Sequence, residues 1–270
     1  MKKALLILFT GISCVSFGQS AAPSPIKLQK GQSLTVTSTM ESNLDMGMEM
    51  KNSSTSTVKI DVMDETEKGF RISKTLAKTK TAMEFMGQEM KYDSENPNES
   101  DEELSKKMSE EIGKSEFGTL DKITGNYTPD KKKDEEGGNP LESIMGGSNQ
   151  NQMEAVFIIP AGKKVGDTWK ETKNEEGMKL DMNYTLKSIN GSDATVDFIG
   201  TLELKKESEM QNMTIKIEMN SKSTGSLVMD MSKSLVKSRT SKDTIDGSME
   251  AMGQPTPVSG EVTTTTTFTY

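Results

Sequence analysis

The chain is patterned in twos. From Leu34 to Met50, residues Leu34, Val36, Met40, Leu44, Met46, Met48 and Met50 share one parity, with Ser38 and Ser42 in the gaps. Thr35, Thr37, Thr39, Glu41, Asn43, Asp45 and Glu49 take the other parity. Side chains of one parity share a face of a β-strand, so the stretch predicts one long bent strand, or two strands joined near Asn43. Val58, Ile60 and Val62 continue the alternation, and Phe70, Ile72 and Leu76 open a strand that runs to Met83, Phe85 and Met86 before a turn at Gly87-Gln88.

The second half repeats the grammar. Met178, Leu180, Met182, Tyr184 and Leu186 alternate with Lys179, Asp181, Asn183, Thr185 and Lys187, and Asn190-Gly191 then marks a hairpin, because both residues tolerate the positive φ of a tight turn. Ala194, Val196, Phe198, Leu202 and Leu204 form the return strand. Met213, Ile215, Ile217 and Met219 alternate again, Ser223-Thr224-Gly225 predicts a turn into Leu227, Met229 and Met231, and strands follow at Leu235–Thr240 and Val262–Tyr270.

Between the halves the period changes. Ser100 and Glu103 fit a capping box, with Leu104, Met108 and Ile112 at helical spacing and Gly113 as the stop. A short strand is expected over Leu120–Tyr127, a solvated loop over Asp130–Gly138, a second short helix at Leu141, Ile144 and Met145, and a buried strand at Val156–Ile159 that Pro160 ends. The resulting fold class is mainly β: a large curled antiparallel sheet or a two-sheet half-barrel, with one or two short helices in the middle. Lys30-Gly31-Gln32-Ser33-Leu34 loosely echoes Val165-Gly166-Asp167-Thr168-Trp169, which admits two related halves. The expected divisions are a signal peptide over 1–18, a linker over 19–29, a β half over 30–96, a helix-and-loop segment over 97–160 and a second β half over 161–270.

Composition sharpens this picture. Only 32% of residues are hydrophobic, while 21 are Met, so the apolar faces depend heavily on a flexible thioether side chain. The formal charge of −8 disfavours nucleic acid as a partner, since phosphate binding needs clustered cations, and Lys131-Lys132-Lys133 is neutralised at once by Asp134, Glu135 and Glu136. Lys2 and Lys3, the apolar run from Ala4 and the small residues Ser16 and Gly18 predict an export signal cleaved before Gln19. The alternative is a lipoprotein anchored through Cys14, the single cysteine, although Gly11 departs from the usual aliphatic residue there. Membrane attachment is expected only in that second case.

The chemistry is mostly one of exclusion. There is no histidine, which removes Ser-His-Asp and Cys-His nucleophile systems and the usual zinc sites. No Gly-rich phosphate loop occurs. A carboxylate-pair hydrolase has one weak candidate, Asp167 beside Trp169, which reads better as a turn aspartate. The expectation is a protein that is not an enzyme and carries no cofactor or metal. Met46, Met48 and Met50 on one strand face suggest copper(I) as an alternative, as does the run Met83, Met86 and Met90, but core or groove lining suits these residues better.

At Val165–Trp169, together with Tyr184–Ile189 and Met86–Ser94, the chain resembles an uncharacterised family of secreted bacterial proteins, a domain of unknown function, over about Lys27 to Tyr270. That resemblance implies no activity and no catalytic residue. More distantly, a curled sheet of this kind is similar to periplasmic lipoprotein-carrier and lipid-binding half-barrels. The apolar faces outnumber the helices available to cover them. The candidate ligand groove is therefore Met46, Met48, Met50, Met83, Phe85, Trp169, Met178, Leu180, Met182 and Tyr184, for a lipid or apolar small molecule bound by a monomer in the cell envelope. The second reading is a structural or interaction protein of the envelope without a ligand.

Overall fold

The computed structural model describes residues 25–130, 153–175, 177–210, 213–251 and 253–270. The segment expected to be a signal peptide, Cys14, the 131–133 lysines and the second helix expected near Leu141 lie outside them. Twelve strands form one antiparallel sheet. They are β1 (Ser33–Asp45), β2 (Glu49–Glu65), β3 (Gly69–Phe85), β4 (Gln88–Asp93), β5 (Ser115–Asp121), β6 (Tyr127–Pro129), β7 (Thr168–Glu175), β8 (Met178–Asn190), β9 (Asp193–Met210), β10 (Met213–Asp230), β11 (Leu235–Ala251) and β12 (Gln254–Thr269). The order is β6-β5-β3-β2-β1-β12-β11-β10-β9-β8-β7, with β4 on the far end of β3. Neighbours follow the chain except at β3–β5, which passes over β4, and at β1–β12, where the first and last strands pair, and the sheet stays open because β6 and β7 are its two edges.

Period 2 was read correctly in kind and missed in places. β1 passes straight through Asn43 and stops at Asp45; Met46 to Met48 form the turn, where the Asp45 carboxylate accepts from the Gly47 N–H at 3.0 Å. Met46, Met48 and Met50 therefore do not line one strand face. The turn expected at Ser223-Thr224-Gly225 is absent, because β10 runs unbroken from Met213 to Asp230. Gly225 is there for close approach instead: a Cβ on it would lie 2.3 Å from the Phe198 ring and 2.2 Å from the Thr240 carbonyl oxygen. The Asn190-Gly191 hairpin joins β8 to β9, with Gly191 at φ 62°.

The single α-helix among the described residues, α1, covers Glu102–Met108. Its N-cap is Asp101 rather than Ser100. The Ser100 hydroxyl accepts from the Asp93 N–H at 2.8 Å, and the Asp101 carboxylate takes the Lys91 N–H at 2.6 Å, so both residues tie the helix start to β4. Val156–Ile159 is not a strand. It makes one isolated bridge, Val156 to Leu235, and otherwise lies across strand ends.

Cross-strand partners share a face, and the ladder registers place nearly all the apolar residues on one side of the sheet, the inner one. That face curls. The N-terminal arm joins two distant turns, since Ile26 N–H bonds to the Lys122 carbonyl after β5 and Lys27 N–H to the Lys233 carbonyl between β10 and β11.

Candidate functional site

The inner face is divided along the strands into three zones. At the end where β1 begins and β12 finishes, a large cluster unites Leu34, Ile60, Phe70, Ile72 and Leu120 with Leu186, Val196, Leu227, Met229 and Leu235. Two straps close this end. One is the arm carrying Ile26 and Leu28; the other is residues 153–159, which bury Met153, Ala155, Val156 and Ile159. The second strap is bonded at Val236 N–H to the Ala155 carbonyl (2.9 Å) and at Phe157 N–H to the Ser234 carbonyl (3.2 Å). Phe157 then reaches the sheet edge, edge-on to Tyr184 with centroids 5.2 Å apart, while Trp169 stacks on Tyr184 at 5.4 Å and lies 6.3 Å from Phe157, closing a triangle of rings.

The middle zone is lined with hydroxyls. Ser38, Ser54, Ser56, Thr79, Thr81, Thr264, Thr266 and Ser241 occupy inner-face positions of β1, β2, β3, β12 and β11. Ser38 and Thr266 share a bond of 2.9 Å, and the Thr81 hydroxyl donates to Asn52 Oδ1 at 3.0 Å. Asp243, also inward, accepts from Ser223 and Ser241, the latter at 3.3 Å.

Beyond it lies a second, smaller cluster of Leu44, Met50, Ile215, Ile217, Met219, Ile245 and Val262, edged by the half-buried Met40, Met46, Phe85, Leu204 and Met249. Every described member comes from a strand or from the β1–β2 turn. Five of its twelve buried and half-buried residues are Met, against four of the 34 counted the same way at the strapped end.

The ten groove positions read from the sequence divide between these clusters. Met46, Met50 and Phe85 belong to the Met-rich one. Trp169, Leu180, Met182 and Tyr184 belong to the strapped one. Met83 pairs across from Met90 on the flank of β3, Met178 is half-buried opposite Leu204, and Met48 is 40% exposed on the turn. Met40 and Met219, read from the sequence only as strand-face positions, and Met249, which it did not single out, also belong to the Met-rich cluster. Their signal was their parity, which the register of β1, β10 and β11 brings together.

Charges on the inner face are few, and besides Asp243 they include Arg239, at an inward position of β11 across from Thr266, its guanidinium carbon 4.8 Å from the centroid of the Phe198 ring. Burial pulls the Lys74 ammonium below its ordinary pKa, with Glu116 and Glu154 opposing; it sits 3.5 Å over the Tyr127 ring, whose hydroxyl donates to Glu116 at 2.9 Å. Desolvation pushes the Glu171 carboxyl up, opposed by a hydrogen bond from Tyr184, and burial pushes the Tyr184 hydroxyl up in turn. Asp167 is a turn residue: its carboxylate accepts the Lys164 N–H at 2.8 Å. No cluster of three or more metal-binding His, Cys, Asp or Glu exists among the described residues. Four buried polar side-chain atoms lack partners there: Ser42 Oγ, Ser105 Oγ, Trp169 Nε1 and the Tyr270 hydroxyl.

A family of unknown function, DUF6263, matches residues 119–236. The match takes in Val165–Trp169 and Tyr184–Ile189 and leaves out Met86–Ser94, so it is narrower than the resemblance over Lys27 to Tyr270. No curated protein matches the chain. Among solved structures, one concerned with lipid–protein interactions in lipovitellin is similar with 10% identity and a TM-score of 0.48, over 90% of this chain and 26% of that one, so this chain spans about a quarter of lipovitellin's length. An outer membrane channel from Pseudomonas putida F1 is similar with 7% identity and a TM-score of 0.26, covering 90% of this chain and 97% of that one. Pseudomonas aeruginosa OccK5 gives 5% identity and a TM-score of 0.25, covering 90% and 99%. By sequence, then, the span from β5 to the start of β11 is what this chain shares with a family whose role is not known.

Proposed function

We propose that this chain is an exported, non-catalytic binder of an apolar, lipid-like molecule, held on the Met-rich end of the inner face. One observation carries the reading: two apolar clusters share a single sheet face, and the chain covers one with its own straps while finishing the other with half-buried Met, Leu and Phe. Thioether side chains are polarizable and unbranched, so they repack around guests of varied shape at small cost.

The test is native mass spectrometry of protein purified from its own membrane fraction, together with titration of an apolar fluorescent probe. Bound lipid mass, and probe binding that Met219→Asp abolishes while Met182→Asp at the strapped end does not, is the expected outcome. If the wild type retains no lipid and binds no probe, the binder reading is wrong.

A further inference from the structure

We propose that the ligand is a single-chain amphiphile with an uncharged, hydroxyl-bearing head group, its chain lying on the Met-rich cluster and its head at the hydroxyl zone beside Ser42. This rests on the binding reading above and adds to it the class of ligand and its direction.

Ser42 carries the argument. It lies on the inner face of β1, across from Asn52 on one side and Val262 on the other, and one position on its strand precedes the Leu44 floor of the cluster. It is 6% exposed, and its hydroxyl has no hydrogen-bond partner. A buried hydroxyl without a partner is destabilising, and at this position Ala or Val would fill the same face without that cost. The other partnerless atoms, on Ser105, Trp169 and Tyr270, lie outside the Met-rich cluster. A hydroxyl at the border between thioether and hydroxyl surfaces is placed to meet a polar group on a molecule whose remainder is apolar.

Charge then selects the head: the inward cation of β11, Arg239, is farther from Ser42 and lies over the Phe198 ring, so the nearer inward charge is a carboxylate. Next along the same row past Val262 is Asp243, roughly 10 Å from Ser42 at two strand spacings, half-buried and held by Ser223 and Ser241. An inward carboxylate repels an anionic head brought alongside it and accepts from a hydroxyl. Along β11 the floor from Asp243 to Met249 runs roughly 20 Å at the usual rise of a strand, which suits one extended chain rather than a bulky polycyclic guest.

The test displaces the bound apolar probe from the full mature chain with dodecanol and with dodecanoate, which share a chain and differ in the head. Dodecanol is expected to compete at least tenfold better. Ser42→Ala is expected to weaken dodecanol about fivefold, the loss of one hydrogen bond, and not to lower the unfolding midpoint. Asp243→Asn is expected to narrow the gap between the two heads. Probe binding with equal competition by both compounds, or with Ser42→Ala and Asp243→Asn both silent, overturns the head-group assignment and leaves the apolar binder standing. Absence of any probe binding removes the binder reading itself.

Discussion

The two ends of the inner face are made from the same strands and solve the same problem differently. At the strapped end, branched and aromatic side chains from β1, β2, β3 and β8 to β12 meet two segments that lie across them, and Leu34, Ile72, Leu186 and Leu235 are all wholly buried. At the Met-rich end, the strands supply both floor and cover. Leu44 is just as buried there, yet the rim of Met40, Met46 and Met249 remains half-exposed. The lesson is that burial and rigidity are separable. Leu, Ile and Phe packed under a strap have few alternatives, whereas Met shields the same kind of floor with side chains that keep several rotamers in play.

The largest test of this contrast is thermodynamic. Phe70→Ala, in the strapped cluster, is expected to lower unfolding stability by about 3–5 kcal/mol. Met249→Ala, on the rim, should cost about 1 kcal/mol, because the surroundings can relax into the space it leaves. Urea denaturation monitored by circular dichroism measures both. Similar losses for the two variants would mean that the Met-rich end is packed as tightly as its counterpart.

Next comes conversion of one end into the other. Phe157 holds the 153–159 strap against Tyr184 and Trp169. Phe157→Ser should cost about 2 kcal/mol and uncover apolar surface, so the apolar probe should gain a second, weaker site. Probe stoichiometry measured by isothermal titration reads this directly. An unchanged stoichiometry would show that the strapped cluster is closed by the curl of the sheet and does not need its strap.

How much of this was legible in the chain depends on distance along it. Alternation fixed the strands wherever both parities were clean, as at Met178–Lys187, and Asn190-Gly191 placed its hairpin because the dipeptide itself favours the required φ. The turn falsely expected at Ser223–Gly225 shows the limit. Glycine there answers to Phe198 on the neighbouring strand, a fact that no local window contains. Ser38 and Ser42 looked like fillers between apolar residues; only the pairing of β1 with β12, the two ends of the chain, assembles them with Thr264 and Thr266 into a hydroxyl zone. The straps were invisible for the same reason, since Val156–Ile159 has the composition of a strand but lies across strand ends, with Val156 bridged to Leu235.

The smallest effect concerns the sheet edge beside the strapped cluster, where two carboxylates titrate in opposite senses. Asp181 on β8 accepts from Thr172 at 2.6 Å and Lys170 at 2.9 Å, which lowers its pKa to about 2. Its contribution to stability is present above the ordinary aspartate value and is lost as pH falls toward 2. Glu171, at an inward position of the edge strand, is raised by desolvation although its side chain is exposed, so it does the reverse only weakly: the folded state holds its proton more tightly, and its small contribution is present at acid pH and is lost as pH rises through the raised value. Glu171→Gln should therefore raise the melting temperature slightly near pH 7 and leave it unchanged near pH 4, whereas Asp181→Asn should lower it near pH 7 and flatten its fall below pH 4. No such shift at the Met-rich end is expected from either change. A Glu171→Gln variant whose melting temperature follows the wild type at every pH would mean that the carboxyl is fully hydrated, and that the edge over Trp169 and Tyr184 is open to water.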